Sequence, residues 1–192
     1  MAIEQRLAED ADATDERRIE LLHLAVTRPF VAAPTPVADA ILIWQRTLTK
    51  EGMPPMRFKP VVIDGPTRCG KSAWATSIFG AARTLMVNCQ GVQEPPLKHF
   101  RRKHHDAIIF EEADWQLVYR NKLLFQAGNK AIDLGKSATN CHHYRKRFFG
   151  VPMFILGNEF FAKIEENPAA KEYVDENVEY WLVAPGERLF LA

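Results

Sequence analysis

With 192 residues, 47% of them hydrophobic and 26% charged, and a net charge of +1, the chain has the composition of a globular protein and not of a globally basic nucleic-acid-binding one. Its three cysteines lack CxxC spacing, so neither a disulfide framework nor a zinc site is expected. No apolar run reaches the length of a membrane span and no secretory signal is recognisable, so we expect an intracellular protein without a membrane partner.

The first 59 residues predict a small helical segment ahead of the main domain. Residues 1–15 are acidic and without hydrophobic periodicity, which is typical of a flexible tail. Over residues 16–50 two apolar stripes at helical spacing, separated by "RPFVAAPTP", predict two helices. The prolines and glycine of "EGMPPMRFKP" then predict a linker over residues 51–59.

From residue 60 to 192 short apolar runs alternate with helical segments, which predicts an α/β domain with a mostly parallel sheet. Strands are predicted at "VVID", "TLMVN", "AIIF", "PMFIL", "VEYWLV" and "RLFLA". Helices are predicted at "KSAWATSIF", around 95–103, from Trp115 to about Phe125, and in a short acidic region after "PMFIL". The basic stretch 128–149 is expected to be irregular or to form a hairpin.

The segment "GPTRCGKS" after the first strand has the spacing of a phosphate-binding loop. Its glycines let the backbone curl so that amide groups point at an anion, and the following helix adds the positive end of its dipole. Lys71 would supply charge to the β- and γ-phosphates, and the Ser72 hydroxyl would ligate Mg²⁺. The predicted nucleotide-binding residues are Gly65, Pro66, Thr67, Arg68, Cys69, Gly70, Lys71 and Ser72.

Two later strands also end in polar side chains. Glu111 and Glu112 follow "AIIF", and Asn158 follows "MFIL" and a glycine. Carboxylates at such strand ends open into the crevice where ligands of α/β sheets bind. We predict that Glu111 holds Mg²⁺ and that Glu112 orients an attacking water. An asparagine at a strand end is by itself more often a turn residue than a phosphate or water ligand.

These segments resemble the superfamily 3 helicase domain of replication initiator (Rep) proteins from circular single-stranded DNA viruses, geminiviruses most closely. The resemblance rests on "VVIDGPTRCGKSAWATSIFG", "IIFEEAD", "GVPMFILGN" and "NVEYWLV", and it covers roughly residues 35–192. It implies an AAA+-like ATPase sheet, ATP and Mg²⁺ as cofactors, movement on single-stranded DNA, and a ring of identical subunits, expected to be a hexamer. It also implies that Lys71, Glu111, Glu112 and Asn158 are the catalytic residues, with Asn158 as the polar sensor.

The same resemblance implies roles for two other parts of the chain. Residues 16–50 correspond to an oligomerisation segment, and the protein would act in the host nucleus with host replication proteins among its partners. A basic hairpin that lines the ring's pore lies, in these helicases, where "LGKSATNCHHYRKRFFG" lies here. The predicted DNA-binding residues are Lys136, Arg145, Lys146 and Arg147. The other basic run, "KHFRRKHH", is expected to be an exposed helix face.

The chain departs from the resembled family in ways that keep two alternatives open. Its acidic pair is Glu-Glu instead of the common Asp-Asp, and the residues before the first strand are too few for the family's nicking domain, so no nicking activity is expected. "YRNK" at 119–122 is taken as a chance likeness to a nicking tyrosine motif, and no arginine finger is assigned. The alternatives are a degenerate Rep-like module that oligomerises and binds nucleotide or DNA without turnover, and a phosphotransferase of the nucleotide-kinase type.

Overall fold

The computed structural model of the chain describes residues 29–48, 57–135 and 143–191. The helices in these ranges are α1 (Thr35–Leu48), α2 (Lys71–Phe79), α3 (Trp115–Arg120), α4 (Lys122–Phe125), α5 (Phe160–Ile164) and α6 (Pro168–Asn177). The strands are β1 (Val61–Asp64), β2 (Thr84–Asn88), β3 (Ala107–Glu111), β4 (Ala131–Leu134), β5 (Tyr144–Arg147), β6 (Met153–Gly157) and β7 (Glu179–Leu182). No helix in the described ranges combines the length and the apolar character that crossing a bilayer requires.

Five strands form one parallel sheet in the order β2–β3–β6–β1–β7. The three central strands, β3, β6 and β1, are buried almost throughout, which explains why their sequences are continuously apolar instead of alternating. The prediction of an α/β domain with a parallel sheet is therefore confirmed. Because all five strands run the same way, the residues that follow β1, β3 and β6 lie side by side at the carboxyl edge.

One aromatic cluster joins the helices to the sheet. Trp74 on α2 packs edge-on against Trp181 of β7 at 5.1 Å between ring centroids, and against Phe154 of β6 at 6.4 Å. Trp44 on α1 is 1% exposed and meets the same Phe154 at 5.8 Å. Helix α1, the described part of the predicted helical segment, thus belongs to the core of the sheet domain. Its role in oligomerisation stays a prediction, and the predicted tail and the rest of this segment and linker, residues 1–28 and 49–56, lie outside the described residues.

The prediction of a helix around residues 95–103 is wrong, because this segment forms consecutive turns. Two adjacent prolines, Pro95 and Pro96, cannot donate backbone hydrogen bonds and disfavour the helical region for the residue before each of them. Leu97 and Phe100 are both buried and fix the chain in its turns. The segment owes its shape to these tertiary contacts and not to helix propensity.

Strands β4 and β5 form a separate antiparallel pair, which confirms the predicted hairpin. Residues 136–142, which connect the two strands, lie outside the described residues. "RLFLA" adds no strand to the parallel sheet. It makes an antiparallel bridge from Phe190 to Phe30 instead, so the closing strand expected there is wrong.

Candidate functional site

The loop of residues 65–72, which we call the glycine loop, links the carboxyl end of β1 to the first turn of α2. Arg68 and Gly70 both take positive φ, at 62° and 99°. Left-handed residues of this kind turn the chain sharply and group backbone N–H donors into a concave surface suited to anions. The N-terminus of α2, a nine-residue helix, opens directly from this surface.

The glycines are required because other segments approach the loop closely. A Cβ on Gly65 would lie 2.7 Å from the Val183 Cβ and 2.8 Å from the Val183 carbonyl oxygen, just after β7. A Cβ on Gly70 would lie 2.7 Å from the Phe190 ring. The Leu189 N–H also donates to the Cys69 carbonyl at 2.8 Å. Residues after β7 therefore hold the loop from outside, which leaves its inner face open.

Lys71 lies at the centre of the loop and is 8% exposed. Its Nζ donates to the carbonyl oxygens of Gly65 at 2.7 Å and Pro66 at 2.8 Å. It donates a third hydrogen bond to Oδ1 of Asn158 at 3.1 Å. An ammonium has three hydrogens, so these three oxygens satisfy it, and its charge is directed into the loop.

Asn158 connects Lys71 to the acidic pair. While its Oδ1 accepts from Lys71, its Nδ2 donates to Oε2 of Glu112 at 2.8 Å. Glu112 has a left-handed backbone with φ of 53°, which turns the chain immediately after β3. The two bonds join three sequence segments that β1, β3 and β6 deliver to one edge of the sheet. A chain of hydrogen bonds thus runs from a cation through an amide to a carboxylate.

These residues line a pocket of about 310 Å³, within the range of small-molecule sites. Its lining consists of Thr67, Arg68, Gly70, Lys71, Ser72, Ala73, Glu111, Glu112, Leu156 and Asn158. Most of the residues that the sequence predicts for the site therefore meet in one place. Three predicted loop residues are not part of this lining: Gly65 and Pro66 contribute carbonyls to Lys71, and Cys69 is buried with its Sγ 3.8 Å from the Lys71 Nζ.

The two residues predicted to hold Mg²⁺, Ser72 and Glu111, both line this pocket. A hydroxyl and a carboxylate are suitable ligands for Mg²⁺, which usually takes one or two protein oxygens and completes its shell with phosphate and water. Within the described parts of the chain no group of three or more His, Cys, Asp or Glu side chains is placed to hold a metal alone. Ser72 and Glu111 therefore fit as the one or two protein ligands of such an ion.

Asp64, the last residue of β1, was not singled out by the sequence analysis. It is 6% exposed, and its Oδ2 accepts from the Phe161 backbone N–H at 3.0 Å. Its Oδ1 has no hydrogen-bond partner among the residues that the structure describes. An acidic residue at the end of an otherwise apolar strand was the signal available in the sequence. Asp64 ties the strand before the glycine loop to the helix after Asn158.

The predicted DNA-binding residues do not form one free basic cluster. Arg145 donates from Nε and Nη2 to both oxygens of Asp133 across the hairpin, at 2.7 and 2.9 Å. Lys146 lies on the other face of β5, where its Nζ donates to the carbonyl oxygens of Lys98 and Phe100. Arg147 is exposed, and Lys136 lies outside the described residues.

Two other features bear on alternatives. Tyr119 of "YRNK" lies under the ammonium of Lys122, 3.8 Å from its ring centroid, and packs against Tyr173, so it has a packing role on α3. A larger pocket of about 520 Å³ lies between α1 and residues 57–59. Its lining includes neither the glycine loop nor the Glu111–Glu112 pair, so we do not assign the nucleotide to it.

No protein-family model matches the chain, and no curated protein is similar to it at a significant level.

Proposed function

We propose that the chain is an ATP-hydrolysing motor domain that moves on single-stranded DNA, of the kind found in viral Rep proteins. The observation that carries the proposal is the hydrogen-bonded series Lys71–Asn158–Glu112 beside the glycine loop. It places a cation, a neutral amide and a carboxylate around one pocket, which is the set of groups that phosphoryl transfer to water needs.

In this proposal the triphosphate lies against the inner face of the glycine loop. Lys71 exchanges its bonds to the Gly65 and Pro66 carbonyls for bonds to phosphate oxygens, and the N-terminus of α2 stabilises the same charge. Ser72 and Glu111 would hold Mg²⁺, which neutralises charge on the phosphates. Glu112 accepts a hydrogen bond from the attacking water.

Asn158 gives the proposed site its link between nucleotide and catalytic base. Its amide bonds to both Lys71 and Glu112, so movement of Lys71 onto a phosphate changes the hydrogen bonding of Glu112. In the proposed motor this coupling reports the state of the nucleotide to the acidic pair. Assembly into a ring, expected to be a hexamer, and action in the host nucleus belong to the same proposal.

The test is a measurement of ATP hydrolysis with and without single-stranded DNA. Lys71→Ala removes the phosphate-binding charge, and Glu112→Gln keeps an oxygen for Asn158 but removes the base, so each should lower turnover by about 100-fold or more. Lys163→Ala is the matched control because Lys163 is 63% exposed on α5 and pairs with Glu159. It should leave turnover unchanged.

Three outcomes separate the alternatives. The motor is supported if single-stranded DNA stimulates ATP hydrolysis and light scattering gives the mass of a ring of several subunits. Nucleotide binding without hydrolysis in the wild-type chain would replace it by a binding module. Transfer of the γ-phosphate to a nucleoside monophosphate would replace it by a nucleotide kinase.

A further inference from the structure

A strongly basic surface of the described residues lies outside the site, on a single loop. Residues 98–105, "KHFRRKHH", which we call the basic loop, contain four Lys or Arg residues and no acid. Lys98, Arg101, Arg102 and Lys103 are exposed. The side chains of Arg102 and Lys103 make no ion pair or hydrogen bond with the described residues. Their charges are therefore available to a ligand.

Contacts within the loop hold it in one shape. The side chain of Phe100 is buried, and its ring stacks against His105 at 5.8 Å and meets Phe148 at 5.2 Å. The Arg101 N–H donates to Nδ1 of His105 at 3.0 Å, which closes the turn. Burial lowers the pKa of His105, which agrees with a neutral ring that accepts this bond. A loop fixed in this way loses little entropy when it binds.

A bidentate ion pair closes the base of the loop. Nε and Nη2 of Arg83 donate to the two oxygens of Asp106, and Nη1 of Arg83 donates to the Lys103 carbonyl at 2.9 Å. Asp106, the acid that directly follows the loop in sequence, is thus paired with a residue outside it. Burial lowers the pKa of Arg102 and the charge of Asp106 raises it, but the four cations of residues 98–103 outnumber this acid.

Side chains of the hairpin strand β5 also form hydrogen bonds to the backbone of this loop and of Leu97 before it. Tyr144 accepts a hydrogen bond at its Oη from the Leu97 N–H at 2.9 Å, and Lys146, two residues later on the same face, donates to two loop carbonyls. The carbonyls that could repel a bound anion are therefore satisfied by a cation. The hairpin supports the basic loop and adds to its positive potential.

The loop lies at the opposite edge of the sheet from the glycine loop. Arg83 and Asp106 immediately precede β2 and β3, and the Asp106 N–H donates to the Arg83 carbonyl at 2.7 Å. This pair marks the amino edge, whereas Lys71, Glu112 and Asn158 lie at the carboxyl edge. Five residues of strand, roughly 17 Å, separate the two edges. A ligand on the basic loop would not compete with one in the glycine loop.

We propose that the basic loop is a binding surface for the phosphodiester backbone of a nucleic acid. Guanidinium and ammonium groups are the side chains that bind backbone phosphates, and an uncompensated set on a fixed loop is complementary to a regularly charged polyanion. The inference deepens the proposed function, because it names where the DNA would contact the domain. It also assigns a role in nucleic-acid binding to residues other than the hairpin arginines.

The experiment measures binding of a labelled oligo-thymidine about 20 nucleotides long, by fluorescence anisotropy, without nucleotide and between about 50 and 200 mM salt. Each phosphate contact on a single strand contributes about 0.7 to the slope of log affinity against log salt. Arg102→Ala/Lys103→Ala should therefore lower the slope by about 1.4. At about 0.1 M salt its affinity should fall by about 25-fold.

Lys163→Ala/Lys171→Ala is the matched control. This double substitution removes the same two positive charges. Lys163 on α5 and Lys171 on α6 are, however, each already paired with an acidic side chain. It should retain wild-type affinity and slope. An unchanged affinity and slope for Arg102→Ala/Lys103→Ala, or an equal loss in the control, would overturn the proposal. Equal binding to duplex DNA supports it, because the backbone is common to both forms.

This binding is read without ATP, so it separates the two proposals. A chain that binds DNA through the basic loop but hydrolyses no ATP would refute the motor and keep the surface. If the chain hydrolyses ATP but Arg102→Ala/Lys103→Ala leaves DNA binding unchanged, the binding surface is refuted and the motor is kept. Thermal melting of each variant checks that the outward substitutions leave the fold intact.

Discussion

Lys71 shows how much of the site depends on a partner distant in sequence. The spacing of the glycine loop predicts its position at the start of a helix, and that position is confirmed. Its bond to Asn158 could not be predicted, because 87 residues separate the two and β6 must lie beside β1 for them to meet. The left-handed backbone conformation of Glu112 could not be predicted from the sequence either, because glutamate has no preference for that conformation.

Gly70→Ala tests the close approach at the loop. Gly70 and Gly91 both have positive φ, but only a Cβ on Gly70 meets another side chain, at 2.7 Å from Phe190, whereas Gly91 has open space. Gly91→Ala should cost about 1 kcal/mol of stability from backbone strain. Gly70→Ala should cost about 2 to 3 kcal/mol, because Phe190 must also move. Urea unfolding measures both, and equal losses would contradict the contact.

At the scale of elements, the parallel strands were predictable and the irregular segments were not. β1, β3 and β6 appear as continuous apolar runs because both faces of each are covered. The segment after Pro95 has a composition that suits a helix, but its turns are determined by buried Phe100 and by Lys146. Such contacts come from the hairpin, which is distant in sequence, so no local pattern reports them.

The hairpin pair Asp133–Arg145 predicts a specific pH dependence. The hydrogen bonds from Arg145, with a smaller contribution from His143, lower the pKa of Asp133 to about 2. Because the pKa of Asp133 is lower in the folded chain, the ion pair stabilises the folded hairpin at pH values above the ordinary pKa of 3.8. This stabilisation is lost as the pH falls towards 2. Arg145→Gln should return the pKa towards its ordinary value.

Carboxyl NMR titration of Asp133 gives the measurement. Arg147→Gln is the matched control, because Arg147 is opposite Ala131 in the hairpin register and not opposite Asp133. It should leave the Asp133 pKa low. An ordinary pKa in the unsubstituted chain would show that the ion pair does not form in solution.

For the whole molecule, strand order decides which residues meet. The sequence predicts a parallel sheet, but local periodicity carries no information on which strand is central. In the observed order β6 lies between β3 and β1, so Asn158 stands between Glu112 and Lys71. Any order that moved β6 to an edge would leave the same three residues unconnected.

The proposed site predicts linkage between nucleotide and global stability. ATP with Mg²⁺ at about 100 times its dissociation constant should add about 2.7 kcal/mol to the free energy of unfolding. For a chain of this size that is a rise of about 5 to 11 °C in melting temperature. Lys71→Ala should remove the rise, and Arg102→Ala/Lys103→Ala should keep it. A rise that persists in Lys71→Ala would place the nucleotide elsewhere.

The bond from Leu189 to the Cys69 carbonyl has a consequence for how the protein is made. β1, which precedes the glycine loop, pairs with β6 and β7, which leave the ribosome after the other strands of the described residues. The loop itself is held by residues that emerge later still. We therefore expect the pocket beside the glycine loop to form only after β7 and the residues that follow it have been synthesised, when most of the sheet has begun to collapse.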